Sequence, residues 1–163
     1  MDVRLLNETH AQAWQQLRLE SLKEAGENFG SSYEEEVDRT PDDFAQLLKQ
    51  GKLYGAFEKE AFIGFAGFYI MNPPKMRHKG VLWGMYVRPG FRKQGVASAL
   101  LHAIIQEAGA QVIQVHLSCI TSNTHALALY KKHGFEVYGI EPRALKEKEV
   151  FFGEYLMVLQ LVA

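Results

Sequence analysis

The sequence predicts an α+β fold in which about four helices flank a mixed, mostly antiparallel sheet of about six or seven strands. Along the chain, the apolar residues switch several times between helical spacing and strand-like alternation. No repeat, low-complexity tract or long linker interrupts this series, so residues 1–163 are expected to form one domain. A hydrophobic fraction of 47% and a charged fraction of 23% are typical of a folded globular protein.

The N-terminal part predicts a strand and two helices. A strand covers residues 2–6, and a helix follows with Thr9 as its N-cap and Gly26 as its stop. The acidic stretch 24–43 predicts a loop and a short helix that begins at Thr40-Pro41, since a capping residue followed by proline favours a helix start.

Beyond residue 52, strand and helix patterns alternate. Two closely spaced apolar runs predict an antiparallel hairpin, and a strand–helix–strand unit follows it. The predicted elements are strands at 53–57, 62–70 and 79–87, a helix from Gly95, a strand at 111–118, a helix at 123–133 closed by Gly134, and strands at 135–140 and 150–161.

The charges balance over the chain but are unevenly distributed. Lys and Arg total 18 against 19 Asp and Glu, which excludes a disordered chain and a polybasic nucleic-acid binder. Residues 75–93 carry six Lys or Arg and no acid, whereas residues 24–43 carry eight acids and one Arg. The sequence therefore predicts one basic and one acidic surface.

Other classes of protein are also disfavoured. Cys119 is the only cysteine, so an intrachain disulfide and a multi-cysteine zinc site are excluded, and the cytoplasm is the expected location. The six histidines follow no ligand spacing, so no metal is expected. The longest apolar stretch, residues 61–71, is too short to span a bilayer, and no signal-like run precedes it, so no membrane association is predicted.

The segment Val87–Ala97 carries the most informative motif. A strand ends in a tight turn, and Gly95 then opens a helix whose first N–H groups lack partners within the helix. With Arg88, Arg92 and Lys93 nearby, this helix start favours a phosphate group; a plain strand–turn–helix junction explains the same pattern. The spacing matches neither the dinucleotide-binding glycine fingerprint nor the P-loop.

A second motif runs from Asn123 to Tyr130. This separation is nearly two helical turns, so both side chains lie on one helix face with Ala126 between them. A tyrosine at this position can protonate a departing thiolate, or it can be a half-buried packing residue.

Together these motifs resemble the GNAT superfamily of N-acetyltransferases, which bind acetyl-CoA. The resemblance rests on Arg92-x-x-Gly95-x-Ala97 after a strand ending in Met85-Tyr86-Val87, followed by Asn123, Tyr130 and Gly134-Phe135. It implies that backbone N–H groups bind the CoA pyrophosphate, the end of the fourth strand pairs with the pantetheine arm, and Tyr130 is the general acid. The implied cofactor-binding residues are Met85, Tyr86, Val87, Arg92, Lys93, Gln94, Gly95, Val96, Ala97, Ser98 and Asn123.

The sequence departs from the family pattern at the general base. Many relatives carry a Glu on the fourth strand, but Val81–Tyr86 contains no acid. The remaining candidates are Glu34, Glu35, Glu36, His116, Ser118 and an ordered water. The resemblance further implies an oxyanion-binding N–H near Met85–Val87, where the fourth strand bulges and splays from the fifth. We expect Tyr33 and Glu35 to bind the acceptor and residues 141–146 to border its pocket.

These observations predict direct transfer of the acetyl group from acetyl-CoA to a primary amine of a small-molecule or peptide acceptor. No covalent acetyl-enzyme is expected. Because the Glu of the fourth strand is missing, a non-catalytic acyl-CoA-responsive binding module is the alternative. A nucleotide or phosphate binder that uses the same turn is a third hypothesis. The free sheet edge allows a homodimer.

Overall fold

A computed structural model describes residues 1–162 and confirms the predicted fold class. The helices are α1 (Ala11–Glu24), α2 (Tyr33–Glu36), α3 (Pro41–Gln50), α4 (Val96–Gly109) and α5 (Thr124–Lys132). The strands are β1 (Asp2–Leu5), β2 (Lys52–Glu58), β3 (Ala61–Ile70), β4 (Lys79–Val87), β5 (Gln114–Ile120), β6 (Glu136–Glu147) and β7 (Val150–Gln160). These seven strands form one sheet in the order β1-β2-β3-β4-β5-β7-β6, and only the β4–β5 pair is parallel.

Two apolar cores cover the sheet because alternate strand residues point to opposite faces. Ala66 of β3 packs in the core beneath α4, whereas its neighbour Phe65 packs in the core beneath α1 and α3. Helix α4 buries Leu100 and Ile104 completely, and α1 and α3 bury Leu17 and Phe44 completely. The α4 core extends to β5 and β7, while the α1 core ends at β4.

The boundaries of α1 differ from the predicted ones. Asn7, rather than Thr9, is the cap: its side chain accepts a hydrogen bond from the Thr9 N–H at 2.9 Å and begins a 3₁₀ turn that precedes α1. At the other end α1 finishes at Glu24, and Gly26 begins a second 3₁₀ turn, Gly26–Asn28. Gly26 therefore does more than end α1: the turn that it begins brings the chain against β5 and β6.

The acidic segment contains more structure than predicted. The start of α3 is confirmed: Thr40 caps it, in a reciprocal capping box with Asp43. The expected loop before it, however, contains α2, a single helical turn capped by Ser32. This turn aims Glu36 back at α1, where the carboxylate is buried and bonds both Nε and Nη2 of Arg18 at 3.0 Å.

Two boundaries in the C-terminal part also differ. Strand β5 begins at Gln114 because the N–H groups of Gln111 and Val112 still bond the Ala108 carbonyl at the end of α4. Residues 141–146, predicted as a polar connection, belong to β6, in which a register shift lies between Glu141 and Leu145. Strands β6 and β7 therefore form a long hairpin at one edge of the sheet.

Two classes of feature are absent from residues 1–162. None of their helices is long and apolar enough to cross a bilayer. These residues also contain no group of three or more His, Cys, Asp or Glu side chains placed to hold a metal ion.

Candidate active site

The parallel pair β4–β5 opens into a cleft. The two strands pair only from Lys79 to Val81 and from Gln114 to His116, although both continue beyond this point. The β5-facing edge of β4 therefore has no strand partner after Val81. A main-chain edge of this kind can pair with an extended ligand.

A bulge in β4 lies directly after the last paired residues. Phe65 of β3 is opposite Tyr86, but Gly67 is opposite Trp83, so two residues of β4 face one of β3. The extra residues are Gly84 and Met85, and Gly84 has a φ of +71°. The predicted bulge is thus present, one residue before the predicted position, and glycine permits its backbone conformation.

A cavity of about 770 Å³ occupies the cleft. Its wall includes every predicted cofactor-binding residue except Gln94, whose side chain bonds the Gly90 carbonyl at 3.3 Å. Asn123 and Tyr130, predicted to share one helix face, both lie in the wall. The predicted residues in the wall are Met85, Tyr86, Val87, Arg92, Lys93, Gly95, Val96, Ala97, Ser98, Asn123 and Tyr130.

The N-terminus of α4 forms one end of this cavity. Its cap is Gly95, which has a φ of +84° and no side chain to bond the first N–H groups of the helix. The space beside Gly95 is open, with no atom of another residue in contact within 4 Å of the position that a Cβ would occupy. The backbone N–H groups of Lys93–Ser98 have no hydrogen-bond partner within residues 1–162. An exposed row of N–H groups at a helix start fits a diphosphate.

The arginines of this segment have partners on α1. Arg88 bonds Glu20 at 2.9 Å, and Arg92 bonds Glu24 at 2.8 Å and the Val87 carbonyl at 2.8 Å. Arg88 and Arg92, predicted to lie near a phosphate, are thus ion-paired with acids of α1, and Arg92 also lines the cavity. Lys93, the third predicted basic residue, lines the cavity together with the free main-chain N–H groups.

Asn123 makes two side-chain hydrogen bonds. Its Oδ1 accepts from the Ala126 N–H at 3.1 Å and caps α5, and its Nδ2 donates to Oδ1 of Asn28 at 3.0 Å. The second bond joins the start of α5 to the 3₁₀ turn that follows α1. The second N–H of Nδ2 is left for a ligand acceptor.

Tyr130 and Cys119 face the cavity from its apolar side. Tyr130 is only 6% exposed, and its hydroxyl has no hydrogen bond within the described residues. Burial, with a smaller effect of Cys119, raises the pKa of Tyr130. Burial, with a smaller effect of Glu154, raises the pKa of Cys119 to about 11. Both groups therefore keep their protons at neutral pH.

Tyr86 lies on the α1 side of the same wall. Burial and the neighbouring Glu24 carboxylate raise the pKa of its hydroxyl to about 12, although the hydroxyl makes no hydrogen bond of normal geometry. Tyr86 is therefore neutral at pH 7.

Most of the predicted base and acceptor residues lie outside the cavity. Ser118 is in its wall, but His116 bonds Gln114 and Tyr138 outside it, and burial together with Lys79 and His78 lowers the pKa of His116. The residues of α2 also lie elsewhere: Tyr33 and Glu34 line a separate cavity of about 370 Å³, Glu35 is exposed, and Glu36 is bound to Arg18.

The 3₁₀ turn after α1 supplies wall residues that the sequence analysis missed. Glu27, Asn28 and Phe29 line the cavity, and Glu27 forms no hydrogen bond or ion pair within residues 1–162. Glu24, the other carboxylate in the wall, is paired with Arg92. The signal in the sequence was Gly26, since a glycine after a helix often marks a reversal that brings the next residues back over the fold.

Comparisons with known proteins agree with this architecture. The model of the acetyltransferase (GNAT) family matches residues 12–135. An L-methionine sulfoximine/L-methionine sulfone acetyltransferase of Pseudomonas aeruginosa is 30% identical over 95 residues, which cover 58% of this chain and 53% of that protein. Human N-acetyltransferase 8 is 31% identical over 96 residues, which cover 57% of this chain and 42% of that protein. The match thus spans about half or less of these relatives.

A solved structure extends the similarity to the whole fold. The structure of yncA from Salmonella typhimurium with its cofactor acetyl-CoA superimposes with a TM-score of 0.88, covering 100% of this chain and 95% of that one at 16% identity. At 16% identity this superposition shows a shared fold. The family model matches residues 12–135, which include the segments that form the cleft. On this evidence the chain belongs to the acetyltransferase (GNAT) family.

Proposed function

We propose that this protein transfers the acetyl group of acetyl-CoA directly to a primary amine. One observation carries the proposal: Lys93 and Gly95–Ser98 at the start of α4, the residues of the unpaired β4 edge and Tyr130 all line one cavity. The N–H row suits the pyrophosphate, and the β4 edge suits the amide-containing pantetheine arm. Tyr130 lines the same cavity and is our candidate proton donor to the thioester sulfur.

The acceptor that we propose carries its amine on a small amino-acid framework. The Pseudomonas aeruginosa relative is named for acetylating methionine sulfoximine and methionine sulfone, both α-amino acids. Human N-acetyltransferase 8 is likewise named as an N-acetyltransferase. These names concern those proteins, and they support an amine acceptor here because each relative is 30% or more identical over more than half of this chain.

Glu27 is our candidate for the general base. An amine with a pKa near 10.4 is protonated at pH 7, and its deprotonation costs about 4–5 kcal/mol. Glu27 is the carboxylate of the described cavity wall without an ion pair, so it is available to take this proton. The 3₁₀ turn that carries it is held by the bond between Asn28 and Asn123.

The remaining steps need one hydrogen-bond donor and one acid. Acetyl-CoA supplies an activated acyl thioester. An N–H group of the β4 bulge at Gly84 and Met85 is our candidate donor to its oxygen as negative charge develops. The amine nitrogen bonds the acyl carbon and then loses its extra proton to solvent, the C–S bond breaks, and Tyr130 gives its proton to the sulfur and regains one from solvent.

The first test separates an enzyme from a binding module. We expect acetyl-CoA to bind in isothermal titration and CoA thiol to be released with amino acids, polyamines, aminoglycosides or peptides as acceptors. The absence of binding at millimolar acetyl-CoA would refute the proposal. Binding without release on any acceptor would favour the acyl-CoA-responsive module, and competition by ATP or NAD would favour a nucleotide binder.

Replacing Tyr130 by Phe tests the acid. We expect kcat to fall by about tenfold or more while the KM for acetyl-CoA stays within about twofold, because only the proton donor is removed. Tyr69→Phe, at an exposed position on β3, is the matched control and should retain wild-type rates. Equal kcat values for Tyr130→Phe and the wild type would remove Tyr130 from the mechanism.

Replacing Glu27 by Gln tests the base. The amide keeps the size of the side chain but cannot accept the proton, so kcat/KM for the acceptor should fall by about 100-fold, with unchanged affinity for acetyl-CoA. Glu60→Gln, in the exposed β2–β3 turn, is the matched control. A Glu27→Gln protein with the wild-type kcat/KM would return the assignment to Ser118 or water.

The reactivity of Cys119 tests direct transfer. With a pKa of about 11, about one Cys119 thiol in a thousand is ionised at pH 8, so alkylation by iodoacetamide should be slow and should accelerate about tenfold per pH unit. Mass spectrometry after incubation with acetyl-CoA should show no acetylated Cys119. An acetylated cysteine that transfers its acetyl group to the acceptor would indicate a covalent intermediate.

A further inference from the structure

Arg18 has one end of its guanidinium group satisfied and the other unpaired. Its Nε and Nη2 bond the two carboxylate oxygens of Glu36 at 3.0 Å each, and the side chain is 7% exposed. Its Nη1 is buried and has no hydrogen-bond partner within the described residues. A buried donor left unpaired costs free energy, so a partner for Nη1 is expected in the working protein.

The unpaired nitrogen lies beside the β4 bulge. A Cβ built on Gly84 would lie 3.8 Å from Nη1 and 3.5 Å from Cε2 of Phe65, which is ordinary contact distance. The absent side chain of Gly84 therefore leaves a gap of about one methyl group between the cavity wall and Arg18. An oxygen atom that enters this gap comes within hydrogen-bonding reach of Nη1 after a small shift.

This gap lies on the face of the sheet that α1 covers. Trp83 packs in the core beneath α1, on the opposite face from α4, whose N-terminus offers the phosphate site. The Arg18 guanidinium lies 5.8 Å from the ring centre of Trp83 and 5.2 Å from that of Phe29, and both aromatic residues line the cavity. A group on Nη1 is therefore next to the bulge, where the amine must attack.

We propose that Nη1 of Arg18 binds a carbonyl-type oxygen next to the reacting amine, so that the acceptor is an α-amino carbonyl compound. The inference rests on the proposed acetyl transfer and narrows its acceptor. Glu36 already neutralises the guanidinium charge, so both a neutral carbonyl and a carboxylate can be bound. A free amino acid supplies the carboxylate, and an amino-acid amide or a peptide N-terminus supplies the carbonyl.

Three matched acceptors test the proposal on the wild-type protein: methionine, methioninamide and the decarboxylated amine of methionine. We expect kcat/KM, calculated on the concentration of unprotonated amine, to be about tenfold or more higher for the two carbonyl-bearing compounds, as for one hydrogen bond to a charged donor. A higher kcat/KM for methionine than for methioninamide would identify a carboxylate site. A higher kcat/KM for methioninamide would identify a site for a peptide-type carbonyl. Equal rates for all three, or CoA release with polyamines only, would overturn the inference while leaving acetyl transfer intact.

Arg18→Lys tests the residue itself. Lysine keeps the charge beside Glu36 but removes Nη1, so the preference for carbonyl-bearing acceptors should fall about tenfold, with the rate on the decarboxylated amine changed by less than about twofold. A purely structural role would lower all three rates together. Arg4→Lys is the matched control, because Arg4 also pairs with a carboxylate, Asp2, and lies over an aromatic ring, Phe57, far from the cavity.

The two proposals fail in different ways. If the wild-type protein binds no acetyl-CoA, or releases no CoA with any amine, the proposed acetyl transfer is contradicted. This test needs no variant. Should Arg18→Lys fail to fold, as circular dichroism would show, the wild-type comparison of the three acceptors still decides the inference.

Discussion

The separation of β4 from β5 is the constraint on which the rest of the site depends. A parallel pair normally continues along both strands, but here it stops after Val81 because β4 bulges at Gly84 and Met85. The neighbouring strand is shaped for this arrangement: a side chain at Gly67 would collide with the Trp83 ring. The unpaired edge, the cavity and the position of the bulged N–H groups all follow from that one interruption of the ladder.

Helix α1 connects the two ends of the cleft. Three of its side chains are ion-paired: Arg18 with Glu36, Glu20 with Arg88, and Glu24 with Arg92. The first pair is buried and holds α2, whereas the other two are half-exposed and hold the turn before α4. Exposed pairs of this kind add little stability, about 0–1 kcal/mol each. Their contribution here is geometric, because they set the turn at a fixed distance from α1.

These ion pairs also change the meaning of the charge distribution. A basic segment and an acidic segment in the sequence suggested two opposed surfaces. In the fold, Arg88 and Arg92 of the basic segment are neutralised by α1, and Glu36 of the acidic segment is neutralised by Arg18. Glu27 is then the acid of this segment that lines the cavity without an ion pair.

The sequence by itself determined the elements with strong local signals. The span of β4, the capped start of α3 at Thr40 and the glycine start of α4 at Gly95 were all predicted, because hydrophobic period, capping and turn chemistry act over a few residues. Nearly all the cofactor-binding residues that lie in the cavity wall were implied by the family resemblance and not by these local patterns.

Tertiary structure alone decided which groups meet across long sequence separations. Arg18 meets Glu36, Asn28 meets Asn123, and Arg92 meets Glu24, which lies 68 positions away. No local pattern encodes such pairs, since each depends on how a helix or turn is laid across the sheet. For that reason Glu27, Asn28 and the unpaired nitrogen of Arg18 emerged only from the fold, whereas the phosphate-binding turn was visible in the sequence.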